Sequence, residues 1–261
     1  MRKYTLLYKR YTTSKSENLK VIKANNLTMI YGSGTKAASD ISFEIHKGEI
    51  VGFAGPNGAG KTTVIKMLTG ILKPTEGSVT INGHDIIKDP LEAKKEFAYI
   101  ADNPDIMVQL TGAEYIDFIA DIYGIDKDKR EDNVRKLASR FNMCDKLNTQ
   151  MREYSHGMRQ KLMVIAALVH EPKVWILDEP MTGLDPAAAY ELKILMKEHA
   201  GAGNCVLFST HVLEVAEKLC DRIMIIDKGT LQYTGTVDQL KAEHGGKDLE
   251  EIFVEMTSGD S

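Results

Sequence analysis

The sequence predicts an α/β protein in which helices cover a mostly parallel sheet, with an antiparallel β region near the N-terminus and an inserted helical subdomain. Three observations carry that expectation. The short apolar runs "VWILD", "NCVLFST" and "RIMIID" alternate with helical stretches, as buried parallel strands do. Runs of period-two alternation crowd residues 19–53. Between these regions, residues of about 105–160 place their apolar side chains at helical spacing instead.

Residues 1–18 come first; they are polar and set Arg2, Lys3, Lys9, Arg10 and Lys15 against Glu17 alone. They read as a loosely ordered basic extension, or as an arm for an anionic membrane surface. Strands follow in "VIKANNLTMI", "ISFEI" and "EIVGFAG", divided by the turn residues Gly32-Ser33-Gly34 and Lys47-Gly48. A helix opens at Lys61, stops near Gly70 and gives way to the strand "SVTING". Thr111 and Glu114 have capping-box spacing. Behind them Tyr115, Ile116, Phe118, Ile119, Ile122 and Tyr123 form an apolar stripe that ends at Gly124. The next helix turns Val134, Leu137, Ala138 and Phe141 to one face. Near the C-terminus Leu249, Ile252, Phe253 and Met256 share a helical face, so residues 241–261 read as a closing helix and tail.

Composition narrows the classes of function. A net charge of −4 argues against a nucleic-acid partner, which usually selects a basic chain. The longest apolar run, Leu162 to Val169, falls far short of the roughly 18 residues a membrane span needs. Leu6-Leu7 is too short for a signal-peptide core. Cys144, Cys205 and Cys220 are scattered, without the pairing of a disulfide framework or the spacing of a zinc site. A soluble intracellular protein is the expectation.

The chemistry is concentrated in two stretches. "GPNGAGKT" matches the phosphate-binding pattern G-x-x-x-x-G-K-[ST] at every fixed position, from Gly55 through Pro56, Asn57, Gly58, Ala59, Gly60 and Lys61 to Thr62. It follows a predicted strand and opens a predicted helix that begins Lys61-Thr62-Thr63. The glycines let the backbone turn its N–H groups onto phosphate oxygens, and the helix N-terminus adds a favourable field. Lys61 is placed for the β- and γ-phosphates of ATP, and Thr62 for Mg²⁺. In "KVWILDEP" a buried strand ends at Asp178, the carboxylate expected to hold Mg²⁺. Glu179, next in line, is expected to orient and polarise the attacking water. Together these stretches define a P-loop NTPase core.

A third stretch, "YSHGMRQKL", begins a helix, and its Ser155 lies 23 residues before Asp178. With it the chain resembles the nucleotide-binding subunits of ABC transporters, whose signature LSGGQ stands at this place. Ser155 and Gly157 match, while Tyr154, His156 and Met158 depart from the family's Leu, Gly and Gln. The resemblance runs from about Leu19 to the C-terminus and implies an ATPase domain over 19–240. It implies that Tyr31 stacks on adenine, that His211 contacts the γ-phosphate, and that Asp185 in "MTGLDP" is the D-loop carboxylate. Asp102 stands where the family often has a Gln; it either approaches Mg²⁺ or shapes a loop that faces the transport partner.

By the same resemblance, two such domains, identical or paralogous, face each other head to tail. Each ATP then lies between one P-loop and the partner's Ser155–Met158. The implied function is ATP hydrolysis that drives a separate transmembrane permease from the cytoplasmic face of the membrane. "YSHGM", Asp102 and "GLDP" look like the bacterial ABC-2-type exporter ATPases. The apolar residues Ile106, Met107, Val108 and Leu110 either form the permease-docking surface or pack inside the helical insert. A soluble ABC ATPase of an assembly complex, such as iron–sulfur cluster assembly, is the alternative reading.

Overall fold

The computed structural model describes residues 19–32, 34–103 and 107–258. The basic extension of 1–18, Ser33 of the first predicted turn, Ile106 of the predicted docking cluster and residues 259–261 lie outside these segments.

β1 (Lys20–Ile30) and β2 (Lys36–His46) form a long antiparallel ladder in which Ala24 faces Phe43 and Ile22 faces Ile45. β3 (Ile50–Ala54) leaves that sheet; β4 (Glu76–Ile81) returns to pair with β1, and β5 (His84–Asp85) folds back on β4. Asn82 and Gly83 join those last two strands with φ of +46° and +89°, the two-residue turn whose twist suits a hairpin. The β-rich stretch of 19–53 is therefore divided. Its first two runs build the antiparallel sheet together with "SVTING", whereas "EIVGFAG" joins the parallel sheet. The reason lies in burial: every residue of β3 is buried, the property of a strand covered on both faces.

The second sheet has the order β10-β9-β3-β8-β7-β6. β6 (Phe97–Ile100), β7 (Val174–Leu177), β8 (Cys205–Thr210), β3 and β9 (Arg222–Asp227) run parallel, and β10 (Thr230–Gly235) closes one edge antiparallel. The helices are α1 (Lys61–Leu68), α2 (Pro90–Lys95), α3 (Gly112–Ile122), α4 (Lys127–Arg140), α5 (His156–Leu168), α6 (Pro186–Gly201), α7 (Leu213–Leu219), α8 (Val237–Glu243) and α9 (Leu249–Ser258). One core fills the space between the two sheets and α1, around Phe43, Phe53, Leu68 and Val79. A second joins the parallel sheet to α3–α6 around Tyr115, Leu162, Trp175 and Phe208. A third tucks α7, α8 and α9 under β9 through Leu213, Leu240 and Ile252.

Local signals act where the sequence places them. Thr111 and Glu114 form the complete capping box of α3. Ser155 caps α5 and Asp185 caps α6 ahead of Pro186. The stripe on α3 is only partly used: Tyr115 and Ile116 are buried, but Phe118 is 41% and Ile122 62% exposed. α3 packs on α5 through one face, and the outer edge of its stripe stays partly open to solvent. Register settles where a site can form. Ala54 pairs with Thr210 and Leu177 with Phe208, so β3, β7 and β8 all end at one edge. Open parallel sheets bind ligands at that carboxyl edge.

Candidate functional site

From Ala54 the chain turns through Gly55–Gly60 into α1. Gly58 and Gly60 take φ of +81° and +106°, and a Cβ on Gly60 would overlap the carbonyl of Ala37. The turn is tied at its base: the Ala59 N–H donates to Pro56 at 3.2 Å, and the Ala59 carbonyl accepts from Gly229 at 2.9 Å. Asn57 and Gly58 form its exposed tip. Gly60, the N-cap, makes no side-chain cap bond, and the first turn of α1 holds no acidic residue. That turn therefore offers unpaired amides and an uncompensated positive field to an anion. Lys61 is buried and folds back over the loop, its Nζ donating to the carbonyls of Gly55 at 2.7 Å and Pro56 at 3.2 Å.

The acidic pair stands beside that ammonium. Asp178 ends the ladder, donating its N–H to Ile100 at 2.9 Å, and its side chain is almost wholly buried. Oδ1 accepts from the Ser209 hydroxyl at 2.6 Å, while Oδ2 is buried with no hydrogen-bond partner. Glu179 adopts a left-handed backbone, φ +47°, and donates its N–H to the same Ser209 oxygen at 2.8 Å. One Glu179 carboxylate oxygen lies 3.6 Å from Lys61 Nζ and the other 2.9 Å from Nδ1 of His211. Lys61, Asp178, Glu179 and His211, all named from sequence, thus converge on one sheet edge. Thr62 is exposed at the start of α1, and Thr63 lies 3.3 Å from the hydroxyl of Tyr31, itself 40% exposed.

A second cluster gathers around the start of α5. Ser155 Oγ accepts from the Met158 N–H at 3.3 Å as an N-cap, which leaves its O–H to donate elsewhere. His156 packs on Gly183, where any Cβ would overlap its ring, and a Cβ on Gly157 would stand 2.7 Å from the Gly183 carbonyl. Met158 packs at the margin of the second core. Lys161 pairs with Asp185 at 2.7 Å. This contact, helped by the Ala188 N–H, holds the Asp185 carboxyl below the usual carboxylate range. Among the described residues, no hydrogen bond joins this cluster to the loop of residues 55–63.

Asp102 is exposed two residues beyond β6. Burial first, and then the charges of Asp178 and Asp102, raise the pKa of the Tyr99 phenol, so Asp102 lies near enough to the acidic pair to share a neighbour with it. Met107 is half-exposed, whereas Leu110 packs against the second core. A groove of about 370 Å³ lies between α3 and α4, away from these residues. Sequence reading passed over Ser209, Lys161 and Gly183. Ser209 carried one signal, a polar residue at the end of an apolar run beside the strand that ends in Asp178.

Comparison with known proteins places the chain in a family. The family profile described as "ABC transporter" matches residues 38–182. The chain is 36% identical over 224 residues to the ABC-type transporter ATP-binding protein EcsA of Bacillus subtilis (strain 168), covering 85% of this chain and 91% of that one. It is 33% identical over 220 residues to the daunorubicin resistance ATP-binding protein DrrA3 of Streptomyces coeruleorubidus, covering 84% and 70%. A solved structure of the ATP-binding subunit of an ABC transporter superimposes with a TM-score of 0.86 at 34% identity, covering 90% and 99%.

Proposed function

The chain belongs to the ABC transporter ATP-binding family, as an ATP-binding subunit and ATPase, and from that premise we propose that its site is completed by a second such domain facing it head to tail. The observation that supports this is the separation of the two clusters. Residues 55–63, 178–179 and 211 share one edge, while His156 and Gly157 pack on Gly183 in the turn of 181–185 instead. A terminal phosphate held by Lys61 and the amides of α1 leaves an open side, and the start of a partner's α5 offers it a hydroxyl and further N–H groups.

In this reading residues 19–240 are the ATPase domain, 1–18 an extension and 241–261 a closing segment. Gly55–Thr63 cradle the phosphates, Lys61 neutralises their charge, and Tyr31 stacks on adenine. The buried, unpartnered Oδ2 of Asp178 suits a cation, so Thr62 and Asp178 would hold Mg²⁺. When bound, that ion neutralises charge developing between the terminal phosphates. Glu179 orients the attacking water and takes its proton. His211 fixes that carboxylate through Nδ1, which leaves Nε2 for the γ-phosphate. Asp102 shapes the partner-facing loop, consistent with its exposure.

No described helix is long and apolar enough to cross a membrane. We assign the membrane step to a separate permease, because the relatives are named as ATP-binding proteins of transporters. We place the permease-docking surface around exposed Met107, with the ATPase peripheral on the cytoplasmic face. Export is favoured because a relative is named for drug resistance. Two experiments test the proposal. S155R should keep nucleotide affinity but lose the ATP-dependent dimer, and a dimer that persists would refute the trans site. A pull-down from detergent-solubilised membranes should recover a transmembrane subunit. Recovery only of water-soluble partners would favour an assembly ATPase.

A further inference from the structure

We propose that Ser209 is a positioning residue for hydrolysis, its single hydroxyl setting both the oxygen that Asp178 presents and the backbone turn that aims Glu179. The inference rests on the ATPase reading of this edge. Ser209 is fully buried at the end of β8, and the β7–β8 ladder stops one residue earlier, at Leu177 and Phe208. The last bond of β7 towards β6 is the Asp178 N–H to Ile100. Beyond it the chain enters a left-handed turn at Glu179, a conformation that glutamate rarely adopts. The Glu179 N–H there has no ladder carbonyl opposite, and a part-buried amide needs a partner.

Ser209 Oγ accepts that N–H at 2.8 Å. A serine hydroxyl has one proton to donate, and here it goes to Asp178 Oδ1 at 2.6 Å. Oδ1 is thereby occupied, and Oδ2 alone remains unpartnered. The bridge is neutral, so it adds no further charge beside Lys61, Asp178 and Glu179. Loss of the hydroxyl would free Asp178 to rotate and leave the Glu179 amide unsatisfied. The fold would remain; the alignment of the two carboxylates would not.

The test compares S209A, S209T and E179Q with the wild-type chain. Binding of a fluorescent ATP analogue in EDTA should be unchanged in S209A, because the Ser209 hydroxyl bonds Asp178 and Glu179 and not the phosphate loop or Tyr31. Turnover should fall by about 10–100-fold, with a higher Mg²⁺ concentration needed for half-maximal rate, as for other residues that orient metal ligands. S209T keeps the hydroxyl and should recover both turnover and the Mg²⁺ requirement. An inactive E179Q beside an S209A with wild-type turnover and Mg²⁺ requirement overturns the role of Ser209 alone. Wild-type hydrolysis by E179Q overturns the assignment of the acidic pair, and the Ser209 proposal with it. Where S209A does not fold, S209C keeps the volume with a weak donor; it should show the same fall, and wild-type turnover in it overturns the proposal.

Discussion

The imidazole of His156 lies against the backbone of Gly183, with Nε2 2.8 Å from the place a Cβ at residue 183 would take. The start of α5 and the turn after the acidic pair therefore form one packed unit. Two further contacts hold it: Lys161 to Asp185 at 2.7 Å, and the Gln160 amide to the Pro180 carbonyl at 3.4 Å. His156 is thus more than a departure from a Gly-Gly signature. It fills the space that a side-chain-free Gly183, at φ +76°, leaves open.

G183A should destabilise the chain by about 1–3 kcal/mol, combining left-handed strain with overlap on His156. H156G should return part of that loss, and the pair should couple by about 0.5–3 kcal/mol in a double-mutant cycle of urea unfolding. Strict additivity would show that the ring does not pack on the glycine.

E179Q should retain ATP and slow hydrolysis by about 10²–10⁴-fold, the usual contribution of a positioned base. With ATP and Mg²⁺ it should also accumulate as a dimer, visible by light scattering. A wild-type rate would remove Glu179 from the reaction.

K61A should raise the Kd for ATP by roughly tenfold to a hundredfold, the equivalent of one charge-assisted hydrogen bond of about 1.5–3 kcal/mol. Part of the effect should come from the loop itself, since Lys61 ties down the carbonyls of Gly55 and Pro56. A nucleotide titration that shows unchanged affinity would contradict the placement of phosphate on this loop.

D185A should cost about 1 kcal/mol near neutral pH through the lost cap of α6. Asp185 has a folded-state pKa below its unfolded value, first through Lys161 and then through the Ala188 N–H. Its contribution is therefore complete above the unfolded pKa of about 3.9 and disappears as pH falls through the lower, folded one. The stability gap between wild type and D185A should hold down to about that pH and narrow below it. A gap that is constant through the acid range would mean the carboxylate charge contributes nothing.

Much of the site was legible in the chain because its parts are short and continuous. The phosphate loop needs glycines, lysine and threonine at set spacing between a strand and a helix, and Gly55–Thr62 states all of them. The acidic pair follows an apolar strand, and the caps at Thr111, Ser155 and Asp185 are local hydrogen bonds within four residues. The exposed flank of α3 was less legible: helical periodicity marks Phe118 and Ile122 as apolar but does not say how wide a face the neighbouring helix covers.

By itself, then, the sequence determined the α/β class, the phosphate loop, the carboxylate pair and the helix starts, since each depends on residues adjacent in the chain. Tertiary structure alone decided that "EIVGFAG" leaves its neighbours for the parallel sheet, that His156 seats on Gly183, and that Ser209 bridges Asp178 and Glu179. Those depend on strand order and register: 31 residues separate Asp178 from Ser209, and only the pairing of β7 with β8 brings them to 2.6 Å. Periodicity reports which face of a strand is apolar; the neighbour against which that face is buried is chosen by the fold as a whole.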